Sequence, residues 1–199
     1  MMKVGIIGAG NIGQAVARQM LRAGVEVTIS NNRGPESLAE TVRAIGQGLR
    51  AGTVAEAASA DIVVLAVPWD SMRDAVRTLP SLKDRIVIDA MNPVLQPGFR
   101  MAELGGKWST QIVAELLPGA RVVKALNTLP PQVLSADPRQ GGGRRVIFMS
   151  GDDAEAKSQI TQLLERIGFA VVDLGTLAAG AGLQQFPGGP LPTLNLLKL

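Results

Sequence analysis

Glycines at positions 8, 10 and 13 stand between a short apolar run, Lys3 to Ile7, and a pattern that puts Ile12, Val16, Met20 and Leu21 on one helical face. In the spacing Gly8-x-Gly10-x-x-Gly13 each glycine has a separate use. The first permits a tight turn out of a strand, the second lets a pyrophosphate approach the backbone, and the third lets the helix pack close to the sheet. The phosphates would then meet the free N–H groups and partial positive charge of the helix N-terminus, around Asn11 and Ile12. Gly24 ends the helix, and Val25 to Ile29 reads as a second strand. This strand, turn, helix, strand unit implies a dinucleotide site. A purely structural glycine turn would leave the end of the second strand unexplained.

That end reads Ser30-Asn31-Asn32-Arg33. A site for NAD wants an acid about 20 residues beyond the glycines, to accept the ribose 2′-hydroxyl. Here a hydroxyl, two amides and a guanidinium would instead hold a 2′-phosphate, Arg33 through charge-assisted hydrogen bonds. The residues therefore point to NADP(H), against the plainer reading of a polar loop with an incidental arginine.

Histidine, tyrosine and cysteine are all absent. Zinc sites, Ser-His triads, thiolate nucleophiles and Tyr-Lys reductase chemistry are excluded or handicapped, and no metal site is expected. Any chemistry must run on Asp, Glu, Lys, Ser, backbone groups or a cofactor. The net charge of +3 is scattered, which gives nucleic-acid binding little support. No apolar run approaches the ~20 residues of a membrane span. The start leaves no room for a signal peptide, so a cytoplasmic location is expected.

The elements that must position these groups alternate along the chain. Strands are expected at Gly48 to Thr53, at Asp61 to Pro68, from Arg85, at Ala120 to Asn127, at Arg144 to Ser150 and at Phe169 to Leu174. Helices are expected between most of them, with Asp70 or Ser71 capping the one that begins at Trp69. Gln96 to Lys107 reads as a loop and Ala136 to Gly143 as a glycine-rich excursion. Alternation of this kind implies an α/β fold, a doubly wound, mostly parallel sheet of Rossmann type over residues 1–178. Residues 179–199 form an apolar, proline-broken appendage, expected to pack on the domain as a lid or to supply a homodimer contact.

Ligands of such sheets bind beyond the carboxyl ends of the strands. The residues there are Val67-Pro68-Trp69, Asn92-Pro93 and Asn127-Thr128. Trp69 could lie beside a nicotinamide or pack under the next helix. Asn92 could bond a ligand or merely form a turn. Asn127 and Thr128 stand where a substrate ring would stack. Lys124 is either a buried, paired lysine or a proton donor.

The motifs GAGNIG, SNNRGPESL, AVPW, DAMNP, STQIVAELLPGARVVKALNT, FMSGDDAEAK and DLGTLAAGAGL, in that order, resemble the NADPH:coenzyme F420 oxidoreductase family over nearly the whole chain. The resemblance implies hydride transfer between NADP(H) and the deazaflavin coenzyme F420, or a flavin such as FMN or FAD, as in the related cytosolic domain of membrane ferrireductases. It implies NADP contacts at Gly10 to Ile12, at Asn31 to Arg33 and around Pro68-Trp69. It also implies a second-ring pocket of Asn92, Pro93, Asn127 and Thr128. Asn127 stands where deazaflavin-handling members can carry a His, and an amide can hydrogen-bond but not titrate. Transfer between two rings asks the protein mainly for distance and orientation, which suits a chain without His, Tyr and Cys. The expected partner is a small redox co-substrate. The alternatives are a reductase of a small carbonyl or imine with Lys124 as acid, and a non-catalytic NADP(H) sensor.

Overall fold

The computed structural model describes residues 2–199. Strand β1 (Lys3–Ile7) leads through the glycine turn into α1 (Asn11–Arg22), which ends at Gly24 with φ +66°, and β2 (Glu26–Ser30) follows. A 3-10 turn (Pro35–Leu38) runs into α2 (Ala39–Ile45), then β3 (Leu49–Ala51), α3 (Val54–Ala58), β4 (Ile62–Leu65), α4 (Trp69–Arg77) and β5 (Ile86–Asp89). A small hairpin of β6 (Val94–Leu95) and β7 (Arg100–Met101) precedes α5 (Ser109–Leu116), β8 (Arg121–Ala125) and α6 (Pro131–Ser135). The chain closes with β9 (Arg139–Gln140), β10 (Gly143–Gly151), α7 (Ala154–Ile167), β11 (Ala170–Asp173), α8 (Leu177–Gln184) and β12 (Leu197–Lys198).

The main sheet has the order β3-β2-β1-β4-β5-β8-β10-β11. Its first six strands are parallel, in the order that reverses between β1 and β4 and so opens a ligand crevice there. Side chains alternate between the two faces, as the pleat requires. Ile62 and Val64 of β4 enter one apolar core with α1 and α7. Val63 and Leu65 enter the other, with α3, α4 and α5. Covering both faces is what makes these strands continuous apolar runs.

Four local expectations are corrected. Strand β10 runs antiparallel to β8 while remaining parallel to β11, because the chain returns through α6 and β9 without a full crossover helix. The segment from Gln96 to Lys107 is not all loop: β7 pairs with β6. The excursion from Ala136 holds β9, which pairs with β10. Helix α4 begins at Trp69 with Pro68 at its cap position and no side-chain cap, so Asp70 lies in its first turn instead of capping it.

The C-terminal residues return onto the same sheet. Strand β12 pairs with the upper part of β10, Leu196 O accepts from Val146 N at 2.9 Å, and Thr128 O accepts from Thr193 N at 2.7 Å. Arg145, 3% exposed, fastens this return, donating to Asn195 Oδ1, Val133 O and Gln140 Oε1 at 2.7–2.9 Å. Among the described residues no helix is long and apolar enough to cross a membrane.

Candidate nucleotide and acceptor site

The three glycines fail or pass a simple steric test in different ways. A Cβ on Gly8, whose φ is +111°, would lie 2.3 Å from Ala66 O, and one on Gly13 would lie 1.9 Å from Gly8 O. Neither position can take a side chain, because strand, turn and helix are already in contact there. A Cβ on Gly10 would meet nothing within 4 Å. The backbone at Gly10 is extended, and no side chain caps α1. The first N–H groups of the helix, at Asn11, Ile12 and Gly13, lack an intrahelical partner, and the space beside Gly10 is open. A pyrophosphate fits this cradle in both shape and charge.

At the end of β2 the structure divides the four expected residues. Ser30 is fully buried and its hydroxyl donates to Ile6 O at 3.1 Å, so its side chain is turned into the sheet and away from any phosphate. Strand alternation explains this: the last residue of β2 still follows the pleat. Asn31 folds the loop, its Oδ1 accepting from Arg33 N at 2.9 Å and its Nδ2 donating to Ser37 Oγ at 2.9 Å. Asn32 and Arg33 are left exposed. Arg33 has no ion-pair partner among the described residues, and Ser30 to Arg33 includes no acid.

Beyond β4, Val67 and Trp69 pack against the core beneath α4, while Pro68 is exposed. The ends of β5 and β8 come together through their amides. Asn92 Nδ2 donates to Asn127 O, and Asn127 Nδ2 donates to Asn92 Oδ1, each at 2.9 Å. Asn127 Nδ2 also donates to Gln184 O at 2.8 Å. An amide nitrogen has two protons. Both protons of Asn127 are used, and the residue is only 5% exposed. Asn92 is half-buried and retains one, so Asn92 is the amide free to meet a ligand. Pro93 is buried beside it. Thr128 is 3% exposed, and its Oγ1 has no hydrogen-bond partner among the described residues. Leu126, just before, holds φ +66°, a conformation costly for a residue with a branched side chain, and it produces the bend that aims Asn127 back toward Asn92.

Lys124 lies beneath this turn with no solvent exposure. Its Nζ donates to Asp89 Oδ2 at 3.1 Å and to Met91 O, while Asp89 Oδ1 accepts from Met91 N at 2.9 Å. Burial pulls the Lys124 pKa down, and the Asp89 carboxylate partly opposes this. The pair fixes the backbone from Asp89 to Asn92. It is enclosed, and so Lys124 cannot reach a substrate as an acid.

Gln184 and Gln185 were not expected here. Gln184, fully buried, donates to Lys124 O at 3.2 Å and Phe148 O at 3.0 Å and accepts from Ser150 Oγ at 2.7 Å. Gln185 Oε1 accepts from Ser109 N at 2.9 Å, and Phe186 N donates to Asn92 Oδ1 at 3.1 Å. The signal was present: two adjacent amides in an apolar tail have to be either exposed or fully bonded.

Residues 3–93 match the family of NADP oxidoreductases described as coenzyme F420-dependent. The rat metalloreductase STEAP3 is 28% identical over 199 residues, covering 99% of this chain but 38% of that protein, so the chain spans well under half of the relative it matches. A hypothetical protein from Sinorhizobium meliloti has a crystal structure 48% identical, with a TM-score of 0.94 over 100% of this chain and 97% of that one. A protein from Arthrobacter sp. FB24 assigned as an F420-dependent NADP-reductase is 28% identical, with a TM-score of 0.79 over 92% of this chain and 89% of that one.

Proposed function

We propose that the chain, which belongs to the family of coenzyme F420-dependent NADP oxidoreductases, transfers a hydride between NADP(H) and a ring acceptor, either the deazaflavin coenzyme F420 or a flavin. The observation that carries the reading is the cradle at Gly10, open where a pyrophosphate needs space, together with the unpaired Arg33 at the end of β2. NADPH, when bound, supplies the hydride.

The chain's own residues bind and orient. The N–H groups of Asn11 to Gly13 would take the pyrophosphate, and Asn32 and Arg33 the 2′-phosphate. The exposed Pro68 and the free N–H of Asn92 line the end of the crevice where the nicotinamide would lie. No protein acid is needed for transfer between two rings, and Lys124 of β8 is sealed against Asp89 beneath the site. That enclosure removes the main support for a carbonyl or imine reductase using Lys124.

The test is NADPH oxidation followed by absorbance, with coenzyme F420, FMN and FAD supplied separately. Turnover with one or more is expected. NADPH binding with no turnover on any ring would overturn the proposal and leave a nucleotide-sensing role.

A further inference from the structure

The chain contains six aromatic residues. Phe148 and Phe169 are in the core, and Trp69 packs beneath α4. Trp108 lies against α8 where Gly182 has no side chain, and Phe99 stands 65% exposed in the β6–β7 hairpin. Phe186 is half-buried and, like Phe99 and Trp108, belongs to none of the three apolar clusters, but its own backbone is hydrogen-bonded to the strand-end amide Asn92.

Its backbone is held at the ligand end of the sheet. Phe186 N donates to Asn92 Oδ1, the amide that keeps one proton free at the carboxyl end of β5. The two residues before it are buried and bonded to β8, β10 and α5. Gly189 N closes a tight turn on Gln185 O at 2.7 Å just after it. A backbone held on both sides of Phe186 thus places this aromatic residue next to Asn92, whose amide keeps one proton free.

We propose that Phe186 forms the wall of the acceptor subsite and selects planar, conjugated rings by stacking, and that Asn127 acts as a positioning residue which latches this wall through Asn92 and Gln184. The proposal rests on the hydride-transfer reading above and names the acceptor class that the same site would accept. A phenyl face gives a flat ring apolar contact and correct spacing and has no proton to exchange, which matches the chemistry required. The latch also gives Asn127 a role as a donor to Asn92 Oδ1 and Gln184 O without contact with the acceptor.

The experiment uses the full chain saturated with NADP+ and measures quenching of FMN and coenzyme F420 fluorescence, alongside turnover, for wild type, Phe186→Ala, Phe186→Leu, Phe186→Trp, Asn127→Asp and the Asn127→Asp/Phe186→Ala double variant. Ring affinity should fall roughly five- to ten-fold in Phe186→Ala and Phe186→Leu and recover in Phe186→Trp, as expected for a stacking contact. NADPH affinity, measured separately as the check on folding, should stay within about two-fold in every variant. Asn127→Asp, whose carboxylate cannot donate, should weaken ring binding in the same direction, and the double variant should be no worse than Phe186→Ala alone. Ring binding unchanged in Phe186→Ala, or fully kept in Phe186→Leu, overturns the wall. Additive losses in the double variant overturn the latch. Ring binding without turnover would sink the hydride-transfer reading and leave the wall standing, whereas no ring binding by wild type would sink both.

Discussion

Arg33 and Lys124 show how differently two cations sit in one fold. Arg33 is exposed and has no ion-pair partner among the described residues, so its removal should cost little folding energy and should remove the charge-assisted contact proposed for the 2′-phosphate. Arg33→Ala should weaken NADPH binding by ~1–3 kcal/mol and leave NADH binding nearly unchanged in parallel calorimetric titrations. Equal losses would refute the 2′-phosphate assignment. Lys124 is sealed against Asp89, and removing one partner of a buried pair strands the other charge. Lys124→Met should destabilise the fold by about 3–5 kcal/mol in urea titrations, with part of the loss recovered when Asp89→Asn is added. The glycines, the arginine and the strand-end asparagines were legible in the sequence because spacing alone places them at strand ends. The inward turn of Ser30 was not, since it depends on whether the strand ends one residue earlier or later. The pairing of Asn92 with Asn127 was also hidden, because two residues on separate strands meet only once the register of the sheet is set.

At the level of elements, α1 and α3 make separable contributions. Gly10→Ala should fold with an unchanged melting temperature, because its Cβ meets nothing, and should lose at least about ten-fold in NADPH affinity, equal to about 1.4 kcal/mol. Gly13→Ala should fail in both respects, since its Cβ would collide with the backbone oxygen of Gly8. Helix α3 begins with a capping box in which Thr53 Oγ1 accepts from Glu56 N, and Glu56 Oε2 accepts from Thr53 N at 2.7 Å. The bonds that reach its carboxylate, from Thr53 N foremost, then from Arg50 and the Thr53 hydroxyl, lower the Glu56 pKa from 4.5 to about 2. A carboxyl depressed on folding stabilises the protein above its unfolded pKa and loses that contribution as pH falls toward the folded value. The melting temperature should therefore decline between about pH 4.5 and pH 2, and Glu56→Gln should flatten that part of the acid limb. Strand and helix order was legible from apolar runs and glycine breaks. The reversal of β10 was not, because nothing local in a strand records the direction of its neighbour.

Across the whole molecule the glycine turn and the latch come from opposite ends of the chain. Five neighbouring strands, β3-β2-β1-β4-β5, are built from residues up to Asp89, whereas the latch needs Gln184 to Phe186 and the β10–β12 pairing needs Leu197. The C-terminal return was readable as an apolar segment seeking a surface. Which surface it covers was not, because the answer lies in Arg145 and the main-chain bonds to Thr128 and Val146. Arg145→Met should free this return. Limited proteolysis should then cut within residues 188–198 faster than in wild type, while the glycine cradle still binds NADPH. On the ribosome, where chains emerge from the N-terminus at ~5–20 residues per second, this order gives synthesis a direction. The glycine turn leaves the exit tunnel ahead of Gln184 to Phe186, and any dinucleotide that binds there stabilises it by mass action. Within this chain the segment of the proposed acceptor wall emerges after the glycine cradle, so a nascent chain can meet a dinucleotide before it has a place for anything to receive a hydride.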